Sequence, residues 1–446
     1  MTRDRDGQPI EQRVAETTAE AYAMLIPDEA LESGDPRYVQ LDAERGGSFA
    51  RLLLTGHRGC GKTTELLRLR ELLAEDGFAV VYFDAEAEFD LFKQDVSWWN
   101  VLLEMIWQMD TQLTAEPHNL SLPTQAKEDA AEWLARIVIK QRDRTELEAS
   151  LQTELGADAG LPFFLKVKAL FKSSVKTGSS RVTEVKKEVE RRPEVLLDAV
   201  DAIIRDVNEQ LYGKERAGLV IIVDGLEKIP LRTQNGGVSS HSALFILNGD
   251  KLKSPPCHLV YTLPLALLSE VNVNQIFPDK PEIMPMIHVS DKHGKPDLKG
   301  VDVMCSVVRK RTRAELFEAG VEEMMALASG GHIRDFIRLA REAASHFGNT
   351  VSTDHARSAI NDMIDYYDNL YAADFQKALE AVDRDHILPG SPCDGAIIDR
   401  LLVLPYRNDN RWYALHPCVL NGPRFAKTKR SRPARKKVGK AKEKKR

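Results

Sequence analysis

The run Arg51–Thr63, RLLLTGHRGCGKT, restricts the possible folds of this chain more than any other segment. Its first five residues read as a buried strand, and the glycines at 56, 59 and 61 interrupt regular structure. The following TTELLRLRELL (Thr63–Leu73) places leucines at helical spacing. Gly56, Gly61, Lys62 and Thr63 fit the spacing G-x-x-x-x-G-K-[ST], set between a strand and a helix. Glycines at such a turn let consecutive N–H groups point inward at phosphate oxygens, and the helix adds its positive end. Gly56, His57, Arg58, Gly59, Cys60, Gly61, Lys62, Thr63 and Thr64 are therefore the expected phosphate-binding residues. Lys62 would neutralise phosphate charge, and Thr63 would offer a hydroxyl to a magnesium ion. His57, Arg58 and Cys60 fill the variable positions and are read first as inert fillers. A thiol at Cys60, beside a helix N-terminus, would be favoured as thiolate, so alkylation there is expected to block turnover and nucleotide to protect.

Further apolar runs extend the sheet: FAVVYFD (Phe78–Asp84), GLVIIVDGLEKI (Gly218–Ile229), HLVYTLP (His258–Pro264) and EIMPMIHVS (Glu282–Ser290). The gap between Lys62 and Asp224 exceeds the ~30 residues of one βαβ unit several-fold, so a helical insertion over about residues 95–212 must fill it. Its helices are expected at Trp98–Leu113, Asp129–Lys140 and Val182–Leu211, with a flexible stretch over GLPFFLKVKALFKSSVKTGSS (Gly160–Ser180). The expected architecture is α/β. It comprises a parallel P-loop NTPase sheet with its insertion (1–300), a helical lid (301–374), a winged-helix-like unit (375–422) ending in a hairpin, and a disordered basic tail (423–446).

Asp224 follows the apolar run LVIIV, where an ionised carboxylate is costly to bury unless it meets a cation, so with Thr63 it is the candidate metal residue. Glu227, three positions later, is a candidate to polarise an attacking water or else a solvated turn residue. Thr262 ends the next strand and could reach the reacting phosphate. Arg334, in GGHIRDF, falls on the first turn of a lid helix and could fold onto the nucleotide. Trp412 and Tyr413 lie in the hairpin and are read as core.

No run approaches the ~18 apolar residues of a membrane span, and the N-terminus lacks the apolar stretch of a signal peptide, which points to the cytoplasm and away from membranes. Five scattered cysteines give neither a disulfide framework nor a zinc spacing. The net charge of −5 conceals an asymmetry: from Arg424 onward thirteen Lys/Arg face one acid, Glu443. Such a block is either a tether for DNA, RNA or another anionic surface, or a solubilising tail.

Taken together, GHRGCGKTTEL, IIVDGLEKI, YTLP and GGHIRDFIRLA resemble the AAA+/STAND division of P-loop ATPases, particularly a bacterial group of stand-alone ATPases. The similarity runs from Arg37-Tyr38-Val39 to the Tyr406–Pro417 hairpin. It implies ATP and Mg2+ as cofactors, with Lys62 and Thr63 as Walker A, Asp224 as Walker B, Thr262 like sensor 1 and Arg334 like sensor 2. Arg37 and Tyr38 would lie near the adenine. The division's members act as nucleotide-dependent switches or scaffolds, including in anti-phage defence. Many oligomerise by lending an arginine to a neighbour's nucleotide, for which Arg309, Arg311 and Arg313 are candidates. The implied function is a slow ATP-driven switch that regulates a partner effector protein encoded nearby or a nucleic-acid complex, as a nucleotide-dependent homo-oligomer. It is slow because the insertion is large and Gly225 stands where a glutamate is usual. The alternatives are a DNA-binding ATPase of origin-recognition or transposition-regulator type, or a scaffold with little hydrolysis. No NKxD-type motif favours guanine.

Overall fold

The computed structural model describes residues 49–91, 96–139, 144–155, 163–176, 180–233, 237–313, 315–345, 350–407 and 410–430. Arg37, Tyr38 and residues 431–446 lie outside them. The chain divides into two compact units, Met1–Met284 and Pro285–Arg446.

In the first unit, β1 (Arg51–Thr55), β2 (Phe78–Asp84), β3 (Gly218–Asp224), β4 (His258–Leu263) and β5 (Glu282–Ile283) form one sheet in the order β2-β3-β4-β1-β5. Every pairing is parallel. Successive side chains alternate between faces, so the near-continuous apolar strands supply two cores. Leu52, Leu54, Val80, Val220, Ile222 and Val260 meet Leu66, Leu69 and Leu73 of α1 (Lys62–Glu75). Leu53, Val81, Phe83, Ile221, Val223 and Tyr261 face the insertion.

After β2 come α2 (Ala85–Glu88) and then the insertion: α3 (Trp98–Leu113), α4 (Thr124–Ile139), α5 (Arg144–Leu155), α6 (Phe163–Lys176), α7 (Ser180–Arg191) and α8 (Pro193–Gly213). One expectation is corrected here. The stretch taken as flexible carries α6, whose Phe163, Phe164, Val167, Leu170 and Phe171 join the core at helical spacing. The amphipathic region Val182–Leu211 is helical as two elements, because Pro193 disfavours helical backbone at Arg192 and opens α8 at its first turn.

The strand expected over Glu282–Ser290 is only two residues long. Pro285 cannot donate to a ladder, and Met286 N–H instead bonds Pro405 O within the second unit at 2.8 Å. That unit holds α9 (Leu298–Arg309), α10 (Val321–Ala328), α11 (Ile333–Ser345) and α12 (Thr353–Leu370). Next come α13 (Gln376–Asp385), α14 (Asp394–Asp399), the antiparallel hairpin β6 (Val403–Arg407) and β7 (Arg411–Leu415), α15 (Pro417–Asn421) and α16 (Pro423–Arg430). Trp412 is buried and stacks on Tyr406 at 4.5 Å, as its core reading requires. The tail expected to be disordered from 423 begins as α16, because Phe425 is buried and Arg424 N–H bonds Asp368 Oδ1 at 2.9 Å. Among the described residues, no helix is long and apolar enough to cross a membrane.

Candidate phosphate-binding site

The C-terminal ends of β1, β3 and β4 meet the Gly56–Thr63 loop, the edge of a parallel sheet where ligands of such folds bind. Gly61 carries φ of 105°, a left-handed turn that suits glycine, and delivers the chain into α1 without a side-chain cap. Lys62 and Thr63 thus stand on the first turn of α1, over the ends of β3 and β4.

Lys62 is buried and its ammonium is held three ways. It donates to Gly56 O at 2.9 Å and to His57 O at 3.0 Å, and it pairs with Glu227 Oε1 at 3.1 Å. Thr63 is exposed, and its hydroxyl donates to Asp224 Oδ2 at 2.6 Å. Asp224 is fully buried and also accepts from Tyr82 Oη at 3.0 Å and from Gly225 N–H at 2.7 Å. Burial, then the nearby Glu227 charge, raises its pKa above the ordinary carboxylate value despite the hydroxyls that bond it. Glu227 is shifted the other way. Burial pushes its pKa up, but the Lys62 ammonium and the Thr262 hydroxyl beside it carry it below the ordinary value.

Thr262 is fully buried and accepts from Leu226 N–H at 3.1 Å, so it fastens the turn that carries Glu227. Arg58 reaches the same turn, donating to Lys228 O at 3.2 Å. His57 and Thr64 are buried, and Gly59 belongs to the turn. Cys60 corrects an expectation: its thiol is fully buried and packs where a side chain on Gly56 would lie, 3.0 Å from that position, so it is not presented to an alkylating reagent.

Gly225 adopts φ of 81°, and a Cβ there would come within 2.1 Å of Asp84 Oδ1. Asp84 stands beside Asp224 in the parallel register, accepts from Glu86 N–H at 2.9 Å and pairs with Lys228 at 3.2 Å. A side chain next to Asp224 would therefore require the Asp84 carboxylate to move and the left-handed turn to carry strain. Tyr82, Asp84 and Lys228 were missed in the sequence. The available signal was YFD at the end of β2, an acid closing a strand parallel to the one that ends in Asp224.

The donor set fits the implied cofactor. A hydroxyl and a carboxylate are the hard oxygens that Mg2+ accepts alongside waters and phosphate, and a glycine turn leading into an uncapped helix start fits phosphate. The only other group of acids and thiol close enough for a metal among the described residues, Cys305, Glu322 and Glu323, is already engaged by Arg309, which pairs with both glutamates. Arg309 also pairs with Asp302 at 3.1 Å. Arg311 donates to Val307 O at 2.6 Å, and Arg313 is exposed. Arg334 is exposed on the first turn of α11.

The parallel sheet and the glycine loop that follows β1 are consistent with a P-loop NTPase fold. The fold is α/β with helical parts. No family model and no curated protein matches the chain. Among solved structures it is similar to the Orc1 protein of Aeropyrum pernix in complex with DNA, at 14% identity over 91% of this chain and 97% of that one, with a TM-score of 0.33. Similar too are Drosophila ORC bound to DNA, at 11% identity over 85% and 82% with a TM-score of 0.33, and Cdc6p of Pyrobaculum aerophilum, at 11% identity over 89% and 95% with a TM-score of 0.32.

Proposed function

We propose that this chain binds ATP with Mg2+ on the Gly56–Thr64 loop and hydrolyses it slowly, as an AAA+/STAND-like conformational switch that acts on a partner. The observation that carries this reading is the pair of contacts between neighbouring loop residues and the acids at and just after the end of β3: Thr63 with Asp224 at 2.6 Å and Lys62 with Glu227 at 3.1 Å. When bound, the nucleotide supplies the phosphoryl group and Mg2+ the charge that neutralises it. Thr63 and Asp224 would hold the metal. Lys62 would exchange its two loop carbonyls and Glu227 for phosphate oxygens, which frees the Glu227 carboxylate. The freed Glu227 carboxylate would then be placed to accept a proton from a water. Thr262 keeps that carboxylate in place through Leu226, and Gly225 leaves no acid directly after Asp224, which suits slow turnover. Titration of a fluorescent ATP analogue tests the reading: the wild-type chain binds and Lys62→Ala does not, and equal binding by both would reject it.

A second reading, a DNA-binding ATPase, draws on α16, whose sequence PRFAKTKR is docked by Phe425 and leads into the basic segment 431–446. A folded base under a polycation suits an anionic polymer.

A further inference from the structure

Tyr82 links the proposed magnesium side of the site to the insertion. Among the described residues β2 lies at the edge of the sheet, and no described strand pairs with its outward N–H and C=O groups. At Tyr82 both are taken by one side chain of α3. Tyr82 N–H donates to Gln112 Oε1 at 3.1 Å, and Gln112 Nε2 donates to Tyr82 O at 2.8 Å. The primary amide thus replaces a strand at one residue. That same residue turns its hydroxyl to Asp224 Oδ2 at 3.0 Å, the oxygen also bonded by Thr63.

The chain of contacts continues into the insertion. Gln112 Nε2 donates to Gln108 Oε1 at 2.8 Å, and Gln108 Nε2 donates to Glu104 Oε1 at 2.8 Å and to Glu88 Oε1 at 3.1 Å. Lys172 of α6 pairs with Glu88 and, at 3.4 Å, with Glu104. Glu104 is fully buried, so these donors are needed to hold it. Every link is a side-chain hydrogen bond or ion pair of definite geometry, running from Asp224 to two helices of the insertion.

We propose that Tyr82 is a positioning residue for Asp224 and that Gln112 couples Tyr82 to the insertion, so that the arrangement of α3 and α6 sets the affinity of the site for Mg2+. This rests on the ATP-binding reading and gives the insertion a task within it. The Tyr82 hydroxyl fixes which carboxylate oxygen faces the ion, as an outer-shell hydrogen bond to a metal ligand does. Gln112 fixes the height of Tyr82 along the sheet edge.

The test separates nucleotide from metal by measuring binding of a fluorescent ATP analogue to the full chain, first in EDTA and then across a Mg2+ titration. Tyr82→Phe, which keeps the ring and removes one hydroxyl, is expected to leave affinity in EDTA within about twofold and to raise the Mg2+ concentration for half-effect about tenfold. Gln112→Ala is expected to shift the same quantity in the same direction by about threefold. The double variant is expected to match Tyr82→Phe alone, because both changes cut one path. An unchanged Mg2+ midpoint in Tyr82→Phe, or an equal loss in EDTA and Mg2+, overturns the positioning assignment. A fully additive double variant overturns the coupling to Gln112. A wild-type chain that binds no nucleotide in either buffer rejects the ATP reading itself, a result distinct from both.

Discussion

Lys62 and Glu227 form a buried ion pair, 3.1 Å apart with side chains 3% and 5% exposed. The phosphate loop is thereby closed on its own lysine. Removing one partner of such a pair strands the other charge, which costs about 3–5 kcal/mol, whereas replacing both is far less damaging. Lys62→Met is therefore expected to lower the melting temperature sharply, and Lys62→Met with Glu227→Gln to recover most of the loss. Calorimetry on the three proteins checks this. A double variant no more stable than the single would show that the charges are not coupled.

Glu227→Gln keeps the shape and removes the proton acceptor. If Glu227 polarises the attacking water, this variant binds ATP at least as tightly as wild type but turns it over ~100-fold more slowly, in line with loss of a general base. Single-turnover assays with labelled ATP measure this, and undiminished hydrolysis would remove Glu227 from the chemistry.

Asp224 has a raised pKa when folded, chiefly through burial. Such a group favours folding when protonated, below the unfolded value of ~3.9, and that contribution is lost as pH rises through the folded value. Ionised Asp224 thus costs stability at neutral pH in the absence of a cation. Asp224→Asn is expected to raise the melting temperature of the nucleotide-free chain at pH 7, with the gain shrinking toward pH 4 and the Mg2+ effect on nucleotide binding lost. Melting curves across that range decide it, since a loss at pH 7 contradicts the sign.

Gly225→Ala places a Cβ against Asp84 in a left-handed turn, and is expected to cost about 1–3 kcal/mol. Adding Asp84→Gly should recover the steric part and leave the backbone part. Urea denaturation of the three chains separates the two contributions, and a neutral Gly225→Ala would mean that the turn can relax.

In the second unit, Asp335 Oδ2 accepts from Tyr367 Oη at 2.6 Å and lies 3.0 Å from His332 Nδ1 and 3.3 Å from His416 Nε2. Burial would raise its pKa, but the His332 and His416 rings beside it hold it well below the usual carboxylate range. A depressed acid contributes stability above the unfolded pKa of ~3.9, lost as pH falls through the folded value. Asp335→Ala is expected to destabilise the chain by ~3 kcal/mol at pH 7. The gap should begin to shrink only below the unfolded value of ~3.9, and a gap no smaller at pH 2 than at pH 7 would refute the electrostatic account.

The phosphate loop, four long strands and most helices were legible in the amino-acid order because each rests on a local rule. Glycine spacing, apolar runs closed by turns, and leucines at helical intervals act within a dozen residues. The same rules misjudged α6, where basic residues and serines masked a helix whose phenylalanines only the insertion's core reveals. They overextended β5, which ends where Pro285 and the second unit take the chain. At the site, the sequence alone determined which residues form the loop and that Asp224 ends a buried strand. Only the tertiary structure decided that Glu227 is the partner of Lys62, that Asp84 fills the space beside Gly225, and that Tyr82 and Gln112 join Asp224 to the insertion. Those relationships link residues about 30 to 165 positions apart, through a parallel register and side-chain hydrogen bonds that no local pattern encodes.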